Sequence, residues 1–212
     1  PVSHSGQEMR KAARHIVAVD APFSSIIDSS PLCNIGRKTN QDVNHFQALV
    51  NSVIAQQLSV KAADTITARV TLALNDDVNP TSMRDIAESD LRSAGLSGAK
   101  TRTIKEMAEA WHTNEYDFSD PKLSDHEIVT ELTKLWGIGR WTAEMFLMFT
   151  LHRLDIWPTG DLAMRRGWEQ IHGLTEYVDP KLLDGQGEIF RPYRSVAAWY
   201  CWRIIDGDSA TW

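Results

Sequence analysis

Apolar residues recur along most of this chain with the three- and four-residue spacing of amphipathic helices. After Asn44, whose side chain can cap a helix, this spacing is followed by Phe46, Leu49, Val50, Val53 and Ile54. Comparable patterns predict helices over residues 7–19, 60–74, 97–111, 162–172 and 192–205, and a short helix that Ser89 opens and Gly95 ends. No segment alternates between apolar and polar residues as a half-buried strand would. The pattern predicts an all-α fold.

Local polar residues indicate where several of these helices begin. Ser59 precedes the helix predicted from residue 60, and Ser124 with Glu127 has the spacing of a capping box. Ser82 and Asp85 have a similar spacing and predict another helix start. In contrast, the Gly-Gln-Gly sequence at 185–187 predicts a flexible loop.

The composition limits the classes of protein to consider. A chain of 212 residues can bury one core or form two lobes. Cys33 and Cys201 form no CxxC pair, and the seven histidines show no HExxH spacing, so neither a disulfide framework nor a common zinc site is indicated. No apolar run approaches the length of a membrane span, and the N-terminus lacks a signal-peptide pattern. We therefore expect an intracellular protein that is not bound to a membrane.

The net charge of −6 argues against a nucleic-acid partner, but the charges are unevenly distributed. Residues 61–133 carry 14 acidic and 8 basic side chains, and this balance alone equals the net charge of the chain. Residues 134–169 carry 5 basic and 4 acidic side chains. Because the local field governs docking, this slightly basic segment remains compatible with DNA binding.

The most informative segment follows the capping box at Ser124. A helical run ends at Leu135–Trp136, Gly137-Ile138-Gly139 makes a tight turn, and a second helical run covers residues 141–151. The turn leaves unpaired N–H groups at the positive end of the second helix, and such a nest suits a phosphate. Having no side chain, Gly137 and Gly139 also let a DNA backbone come close. About 20 residues later the chain reads Pro158-Thr159-Gly160-Asp161.

Each of these features also has a purely structural interpretation. The Gly-Ile-Gly sequence can be an ordinary turn between two helices, and Asp161 can be the N-cap of the helix that follows. The two roles of Asp161 are compatible, because a carboxylate at a helix N-terminus stays ionised and points out of the fold. The combination of the hairpin and the Gly160-Asp161 sequence favours a functional role.

This combination resembles the helix-hairpin-helix DNA glycosylase superfamily named for its hairpin, its Gly/Pro-rich loop and its catalytic Asp (HhH-GPD), and within it the alkylbase glycosylases that remove 3-methyladenine. The resemblance extends from about residue 40 to the C-terminus. It implies one glycosylase domain of two helical lobes with a DNA-facing cleft between them. Lobe A would comprise about residues 45–152, including the hairpin at 125–151, and lobe B about residues 1–44 and 153–212.

The resemblance also implies a chemistry. The enzyme would flip the damaged nucleotide out of double-stranded DNA and hydrolyse its N-glycosidic bond. Asp161 would be the catalytic residue that stabilises the positive charge developing on the deoxyribose. Bifunctional relatives carry a Schiff-base lysine where this chain has Trp141, so we expect a monofunctional glycosylase without lyase activity. The four cysteines of an iron–sulfur cluster are missing, and no cofactor is expected to be required.

Further site residues are carried over by position. Trp141, Met145 and Tyr193 would line the base pocket, where electron-rich rings suit a cationic methylated base. Met145 and Tyr193 stand where the family has a tyrosine and a second tryptophan. In Ala55-Gln56-Gln57-Leu58-Ser59, Gln57 falls at the position of the residue that fills the gap left by the flipped base. The expected DNA contacts are Gln56, Gln57, Leu58, Gly137, Gly139, Arg140 and Thr142, and the expected ligands of a structural Na⁺ or K⁺ are the main-chain carbonyls of Thr133, Leu135 and Ile138.

Other basic and aromatic residues have simpler predicted roles. Lys100, Arg102 and Lys105 share one predicted helix, where a solvated face is favoured over contact with phosphates. Arg165 and Arg166 follow Asp161 and can contact DNA or pair with a carboxylate. Core packing is expected for the remaining tryptophans of interest, which are Trp136, Trp157, Trp168, Trp199 and Trp202.

Three function classes are compatible with these features. The first is a monomeric, monofunctional alkylbase glycosylase of base excision repair, which would act in the cytoplasm or nucleoid of a bacterium or in the nucleus of a eukaryote. The second is a glycosylase of the same fold for deaminated or oxidised bases. The third is a non-catalytic DNA-binding protein that uses only its hairpin. Asp161 and the aromatic residue at position 141 favour the first two classes.

Overall fold

The computed structural model describes residues 2–37, 44–114, 116, 118, 120 and 122–206. These residues form twelve α-helices and two short 3-10 helices, Ala21–Phe23 and Gly187–Phe190, and contain no β-strand. In chain order the α-helices are α1 (Gly6–Val19), α2 (Ser24–Ser29), α3 (His45–Ala55), α4 (Val60–Ala73), α5 (Pro80–Asp85), α6 (Glu88–Ser93), α7 (Gly98–Asn114), α8 (Asp125–Leu132), α9 (Arg140–Phe149), α10 (Leu162–Ile171), α11 (Pro180–Gln186) and α12 (Arg194–Asp206). The predicted all-α fold is confirmed.

Most helices begin where a polar side chain can accept a hydrogen bond from the first turn. The side chain of Asn44 accepts from the N–H of Gln47, and Ser59 accepts from the N–H of Ala62. Ser124 and Glu127 form the predicted capping box. The interpretation of Ser82 as a helix start is wrong, because the cap of α5 is Asn79 and Ser82 completes that capping box from inside the helix.

Two further predictions of local structure are wrong. Helix α6 begins after Ala87 rather than at Ser89, although Gly95, at a φ of +111°, follows its end as expected. Residues 185–187 are not a flexible loop, since Gly185 lies in α11 and Gly187 begins a 3-10 helix. A Cβ at Gly187 would lie 2.3 Å from the Trp157 ring, so this glycine permits close packing rather than flexibility.

The chain divides between residues 41 and 42, and again between residues 146 and 147, into two compact units. We call residues 42–146 the central unit. Its core is formed where α3 and α5 pack against α7. Aromatic pairs lie within it, with Phe46 edge-on to Trp111 at 5.6 Å and Phe118 edge-on to Phe146 at 5.7 Å between ring centroids.

The remaining residues form the terminal unit, in which α10 packs closely along α12. Gly167 makes this approach possible, because a Cβ there would lie only 1.8 Å from the carbonyl oxygen of Cys201. An aromatic cluster fills the core beside these helices; its members are Phe23, Trp157, Trp168, His172 and Phe190. The contact between α10 and α12 fixes the start of α10, where Asp161 lies.

Candidate functional site

The hairpin predicted at residues 125–151 consists of α8, a tight turn and α9. The N–H of Ile138 donates to the carbonyl of Leu135 at 3.1 Å, which closes the turn, and the Ile138 side chain is buried beneath it. The N–H of Ala143 then donates to the carbonyl of Gly139 at 3.2 Å and begins α9. The two glycines are exposed on either side of the buried Ile138.

The two glycines of the turn have different structural roles. Gly137 has a φ of +79°, and a Cβ there would lie 2.1 Å from the Thr103 hydroxyl oxygen, so both conformation and packing require glycine. Around the corresponding Cβ position of Gly139 no atom of the described chain lies within 4 Å. Gly139 therefore presents its backbone to open space, whereas Gly137 is required by the fold itself.

The remaining hairpin candidates lie at the start of α9. Arg140 is exposed, and its Nε donates to Oε1 of Glu144 one turn later at 2.7 Å. Thr142 is buried, and its hydroxyl accepts a hydrogen bond from Nε2 of Gln56 at 3.1 Å. The side chain of Thr142 thus supports the hairpin from inside, and only its backbone N–H belongs to the face predicted to meet a phosphate.

The loop between α3 and α4 carries Gln56, Gln57 and Leu58. Gln56 is directed into the protein, where Nε2 also donates to the carbonyl of Gly137 at 3.3 Å. Gln57 is exposed and has a φ of +58°, an unusual conformation for a residue with a side chain. Leu58 is 40% exposed. The structure therefore brings Gln56 to the hairpin and leaves Gln57 and Leu58 projecting at the surface.

Asp161 is the N-cap of α10, and its Oδ1 accepts two hydrogen bonds. One comes from the N–H of Met164 at 2.7 Å, and the other from Nε1 of Trp202 at 2.8 Å. Trp202 is buried on α12 and packs near Phe149 with ring centroids 5.8 Å apart. The carboxylate is therefore held by a helix N-terminus and by an indole from another helix.

The hydrogen bond from Trp202 was not predicted. Trp202 does pack in the core, as expected, but it also orients the candidate catalytic carboxylate. The two residues lie 41 positions apart, and no local motif connects them. Only the packing of α10 against α12 brings them together.

The three predicted base-pocket residues differ in exposure. Trp141 lies on the first turn of α9 and is 37% exposed, and Met145, one turn later on the same face, is half-buried. Tyr193 lies in the terminal unit and is buried, with the ring of His15 edge-on to it at 5.7 Å. Trp141 and Met145 therefore form one apolar surface on the hairpin.

Of the basic residues of α7, Arg102 is exposed as predicted, whereas Lys100 and Lys105 are half-buried and hydrogen-bonded to the backbone. The ammonium group of Lys100 donates to the carbonyls of Ile54 and Gln56 at 2.8 and 2.7 Å, and that of Lys105 donates to the carbonyls of Arg84 and Ile86. Burial lowers the pKa of both lysines from their usual range.

Arg102 lies over the ring of Trp136, 4.1 Å from its centroid. The core role expected for Trp136 is wrong, because this ring is 41% exposed.

The side chains of Arg165 and Arg166 on α10 have different surroundings. Arg166 lies over the ring of Tyr177 and donates to its hydroxyl at 3.4 Å. Nε of Arg165 is buried and makes no hydrogen bond within the described residues. Neither arginine forms an ion pair with another of the described residues.

The described residues contain no group of three or more His, Cys, Asp or Glu side chains that could hold a metal ion. Cys33 and Cys201 are both buried free thiols, and burial raises the pKa of Cys33 to about 12. Among the described helices, none combines the length and apolar character needed to cross a bilayer.

Known proteins that are similar to this chain support the family resemblance indicated by the hairpin and the Gly160-Asp161 sequence. The family described as "HhH-GPD superfamily base excision DNA repair protein" matches residues 50–192. DNA-3-methyladenine glycosylase 1 of Schizosaccharomyces pombe is 35% identical over 162 residues, which cover 74% of this chain and 71% of that protein. The chain belongs to the HhH-GPD superfamily.

Solved structures show the same fold. The Schizosaccharomyces pombe 3-methyladenine DNA glycosylase Mag1 in complex with abasic DNA superimposes with a TM-score of 0.81 at 30% identity, covering 95% of this chain and 100% of that chain. A DNA-3-methyladenine glycosidase from Bacillus halodurans superimposes with a TM-score of 0.77 at 34% identity, covering 91% of this chain and 88% of that chain.

Proposed function

We propose that this protein is a monofunctional DNA glycosylase that removes alkylated bases, of the 3-methyladenine and 7-methylguanine type, in base excision repair. Its substrate is double-stranded DNA that contains a damaged base. The similar proteins named as 3-methyladenine glycosylases support the substrate class. The position of Asp161, fixed at a helix N-terminus by Met164 and Trp202, is the structural observation that carries the proposal.

The proposed reaction cleaves the bond between the base and C1′ of the deoxyribose. Positive charge develops on the sugar as this bond breaks, and a fixed carboxylate stabilises that charge more than it stabilises the uncharged sugar of the ground state. Two hydrogen bonds to Oδ1 hold the Asp161 carboxylate in place before the charge appears. Asp161 is thus the proposed catalytic residue, and water completes the hydrolysis.

Alkylation makes the base a better leaving group and a better ligand for aromatic rings. Methylation at N3 of adenine or N7 of guanine leaves the base cationic, and cations bind favourably to the faces of electron-rich rings. Trp141, Met145 and Tyr193 are the proposed contacts of the flipped base. Of these, Trp141 presents the most exposed ring.

The proposed enzyme has no lyase activity, because the position of the Schiff-base lysine is occupied by Trp141. Base excision should leave an intact strand with an abasic site. Borohydride added during the reaction should therefore trap no covalent complex between protein and DNA. A trapped complex would show that another lysine acts as a nucleophile.

The proposed DNA contact of the hairpin uses its backbone. N–H groups at the start of α9 face a phosphate, and the carbonyls of Thr133, Leu135 and Ile138 provide neutral oxygen ligands that suit a Na⁺ or K⁺ ion bridging to that phosphate. The Leu135 carbonyl already accepts one hydrogen bond, from Ile138, and has a second lone pair for an ion. Replacing K⁺ with tetramethylammonium at constant ionic strength should weaken DNA binding, and unchanged affinity would argue against the ion.

Release of free base from methylated duplex DNA tests the function directly. The wild-type protein should release 3-methyladenine or 7-methylguanine, whereas Asp161→Asn should lower the rate by about two to three orders of magnitude because the charge is lost. The carbonyl oxygen of the introduced amide can still accept from Met164 and Trp202, so the melting temperature should change little. DNA containing hypoxanthine or 8-oxoguanine serves as the comparison substrate.

Each outcome of this assay has a distinct meaning. Near wild-type base release by Asp161→Asn would reduce Asp161 to a helix cap. Preferential release of hypoxanthine or 8-oxoguanine would assign the protein to glycosylases for deaminated or oxidised bases. Binding to DNA without release of any base would identify a non-catalytic DNA-binding protein.

A further inference from the structure

Lys100 holds the start of the loop at residues 56–58 through hydrogen bonds to main-chain carbonyls. Its ammonium group donates to the carbonyls of Ile54 and Gln56, at the C-terminal end of α3, with distances of 2.8 and 2.7 Å. A cation at this position also interacts favourably with the negative end of the α3 dipole. Lys100 is half-buried, and burial lowers the pKa of its amine. Lys100 is therefore a cap of the α3 terminus rather than a surface charge.

The loop that Lys100 holds is conformationally demanding. Gln57 has a φ of +58°, which a residue with a Cβ adopts only where its surroundings impose it. On one side Lys100 fixes the Gln56 carbonyl. On the other, the Gln56 side chain bonds the carbonyl of Gly137 and the hydroxyl of Thr142. Gln57 and Leu58 project from a loop that is anchored at Gln56 through both its backbone and its side chain.

The same turn of α7 also contacts the hairpin. Thr103, three residues after Lys100, lies against Gly137 so closely that a Cβ on that glycine would be 2.1 Å from the Thr103 hydroxyl oxygen. Residues 100–103 therefore touch both the loop at 56–58 and the hairpin turn. Within the central unit, these packed contacts would transmit a displacement of the hairpin to the loop.

We propose that Lys100 is a positioning residue for nucleotide flipping. It holds the loop at residues 56–58 in a fixed position relative to the hairpin. Gln57 or Leu58 can then enter the base stack of the DNA when the hairpin binds the phosphates. This role rests on the proposed glycosylase function. Lys100 contacts neither the sugar nor the base and acts through the loop alone.

A fluorescence experiment measures loop insertion without any catalysis. The DNA carries a tetrahydrofuran abasic analogue with 2-aminopurine as its neighbour, whose fluorescence rises when an inserted side chain unstacks it. Saturating wild-type protein should raise the fluorescence. Lys100→Met keeps the length of the side chain but has no donor and no charge, and it should raise the fluorescence much less while still binding the DNA.

A second readout uses base excision. Lys100→Met should release a methylated base from a fully paired duplex about 10- to 100-fold more slowly than the wild type, the loss expected for hydrogen bonds to a charged group. When the same base lies opposite an abasic site, it flips with little help, and the variant should approach the wild-type rate. A merely structural defect would slow both reactions equally.

Lys105 provides a matched control on the same helix. It also donates to two main-chain carbonyls, those of Arg84 and Ile86, and burial also lowers its pKa. Lys105→Met should lower the melting temperature by an amount similar to Lys100→Met yet retain the fluorescence increase and the activity on paired DNA. If Lys100→Met fails to fold, Lys100→Gln, which keeps a shorter donor, takes its place in the same comparison.

The outcomes distinguish this proposal from the proposed function. No fluorescence increase with wild-type protein, a normal increase with the Lys100 variant, or equal loss of activity on paired and unpaired lesions would overturn the role of Lys100. A fluorescence increase that depends on Lys100, in a protein that releases no base, would support the role of Lys100 and refute the glycosylase activity.

Discussion

Asp161 is the N-cap of α10 and the proposed catalytic carboxylate, two roles that are usually considered alternatives. As an N-cap, its Oδ1 accepts the Met164 N–H, and this contact alone would explain an aspartate at this position. The hydrogen bond from Trp202 to the same oxygen is not needed for a cap, since a cap requires only the first turn of its own helix. The bond from Trp202 restrains the carboxylate beyond what a cap requires, and it also satisfies the buried indole N–H.

We therefore expect Trp202→Phe to affect catalysis more than stability. The phenyl ring keeps most of the packing near Phe149 but cannot donate to Asp161, so the carboxylate loses one of the two bonds that hold Oδ1. The rate of base release should fall by about tenfold or more, the value of a hydrogen bond to a charged group. Single-turnover kinetics with saturating enzyme measure this rate without a contribution from DNA binding.

Trp199 provides the control for this substitution. It is also a buried tryptophan on α12, but its Nε1 has no hydrogen-bond partner among the described residues. Trp199→Phe should change the melting temperature by a similar amount and leave the rate of base release near that of the wild type. Equal rate losses in the two variants would mean that Trp202 serves only as core packing.

Among the elements, the hairpin turn separates the requirements of folding from those of DNA binding. In Gly137→Ala, the positive φ of this residue would be strained and the new Cβ would clash with Thr103. We expect this substitution to lower the free energy of unfolding by about 1–3 kcal/mol. Gly139→Glu places its side chain in open space, so the melting temperature should stay near that of the wild type. It should nevertheless weaken DNA binding, because a carboxylate then occupies the approach of a phosphate.

Gly139→Gln separates charge from size in this prediction. It should weaken binding less than Gly139→Glu, and the difference should decrease as the salt concentration rises, because salt screens the repulsion. Fluorescence anisotropy with a labelled duplex measures both effects. Unchanged affinity for both folded variants would remove Gly139 from the DNA interface.

Several helix starts could be predicted from local signals, although the interpretation of Ser82 and Ser89 as helix starts is wrong. Caps such as Ser124 lie within four residues of the N–H groups they satisfy, so their effect can be read from adjacent residues. Gly187 was misinterpreted because the residue that requires a glycine there is Trp157, whose ring packs against it from 30 residues away. The contacts of Lys100 were missed in the same way, since its acceptors lie at the C-terminal end of another helix. Contacts between distant residues leave no periodic pattern in a sequence.

For the molecule as a whole, the start of the chain is part of the terminal unit rather than an appendage. The N–H of Val2 donates to the Leu151 carbonyl at 3.3 Å, and the N–H of His4 donates to the Gly36 carbonyl at 3.0 Å. The rings of His4 and His152 complete the connection, because Nε2 of His4 lies 2.8 Å from the His152 carbonyl and Nδ1 of His152 lies 3.0 Å from the Val2 carbonyl. The buried ring of His152 is thus part of the connection between the start of the chain and residues 151–152.

The stability of the protein should accordingly fall in mild acid. Burial lowers the pKa of His152 below its usual value of 6.5, so the folded chain binds this proton less readily than the unfolded chain. Between the lowered value and 6.5, unfolding takes up a proton, and the free energy of unfolding falls as the pH decreases through this range. Above that range this group contributes no pH dependence. Thermal melts between pH 7.5 and 5.5 should show a decreasing melting temperature.

His152→Asn tests whether this residue causes the decrease. Asparagine tolerates the φ of +58° at this position and does not titrate, so the variant should have a shallower dependence of melting temperature on pH. At pH 7.5 its stability should stay near that of the wild type, because Nδ2 of asparagine can donate to the Val2 carbonyl in place of Nδ1 of the ring. His112→Asn, at an exposed position on α7, should leave the wild-type dependence unchanged. If His152→Asn melts with the wild-type pH dependence, the buried ring is not the group that takes up the proton, and the connection between the start of the chain and residues 151–152 is insensitive to its charge.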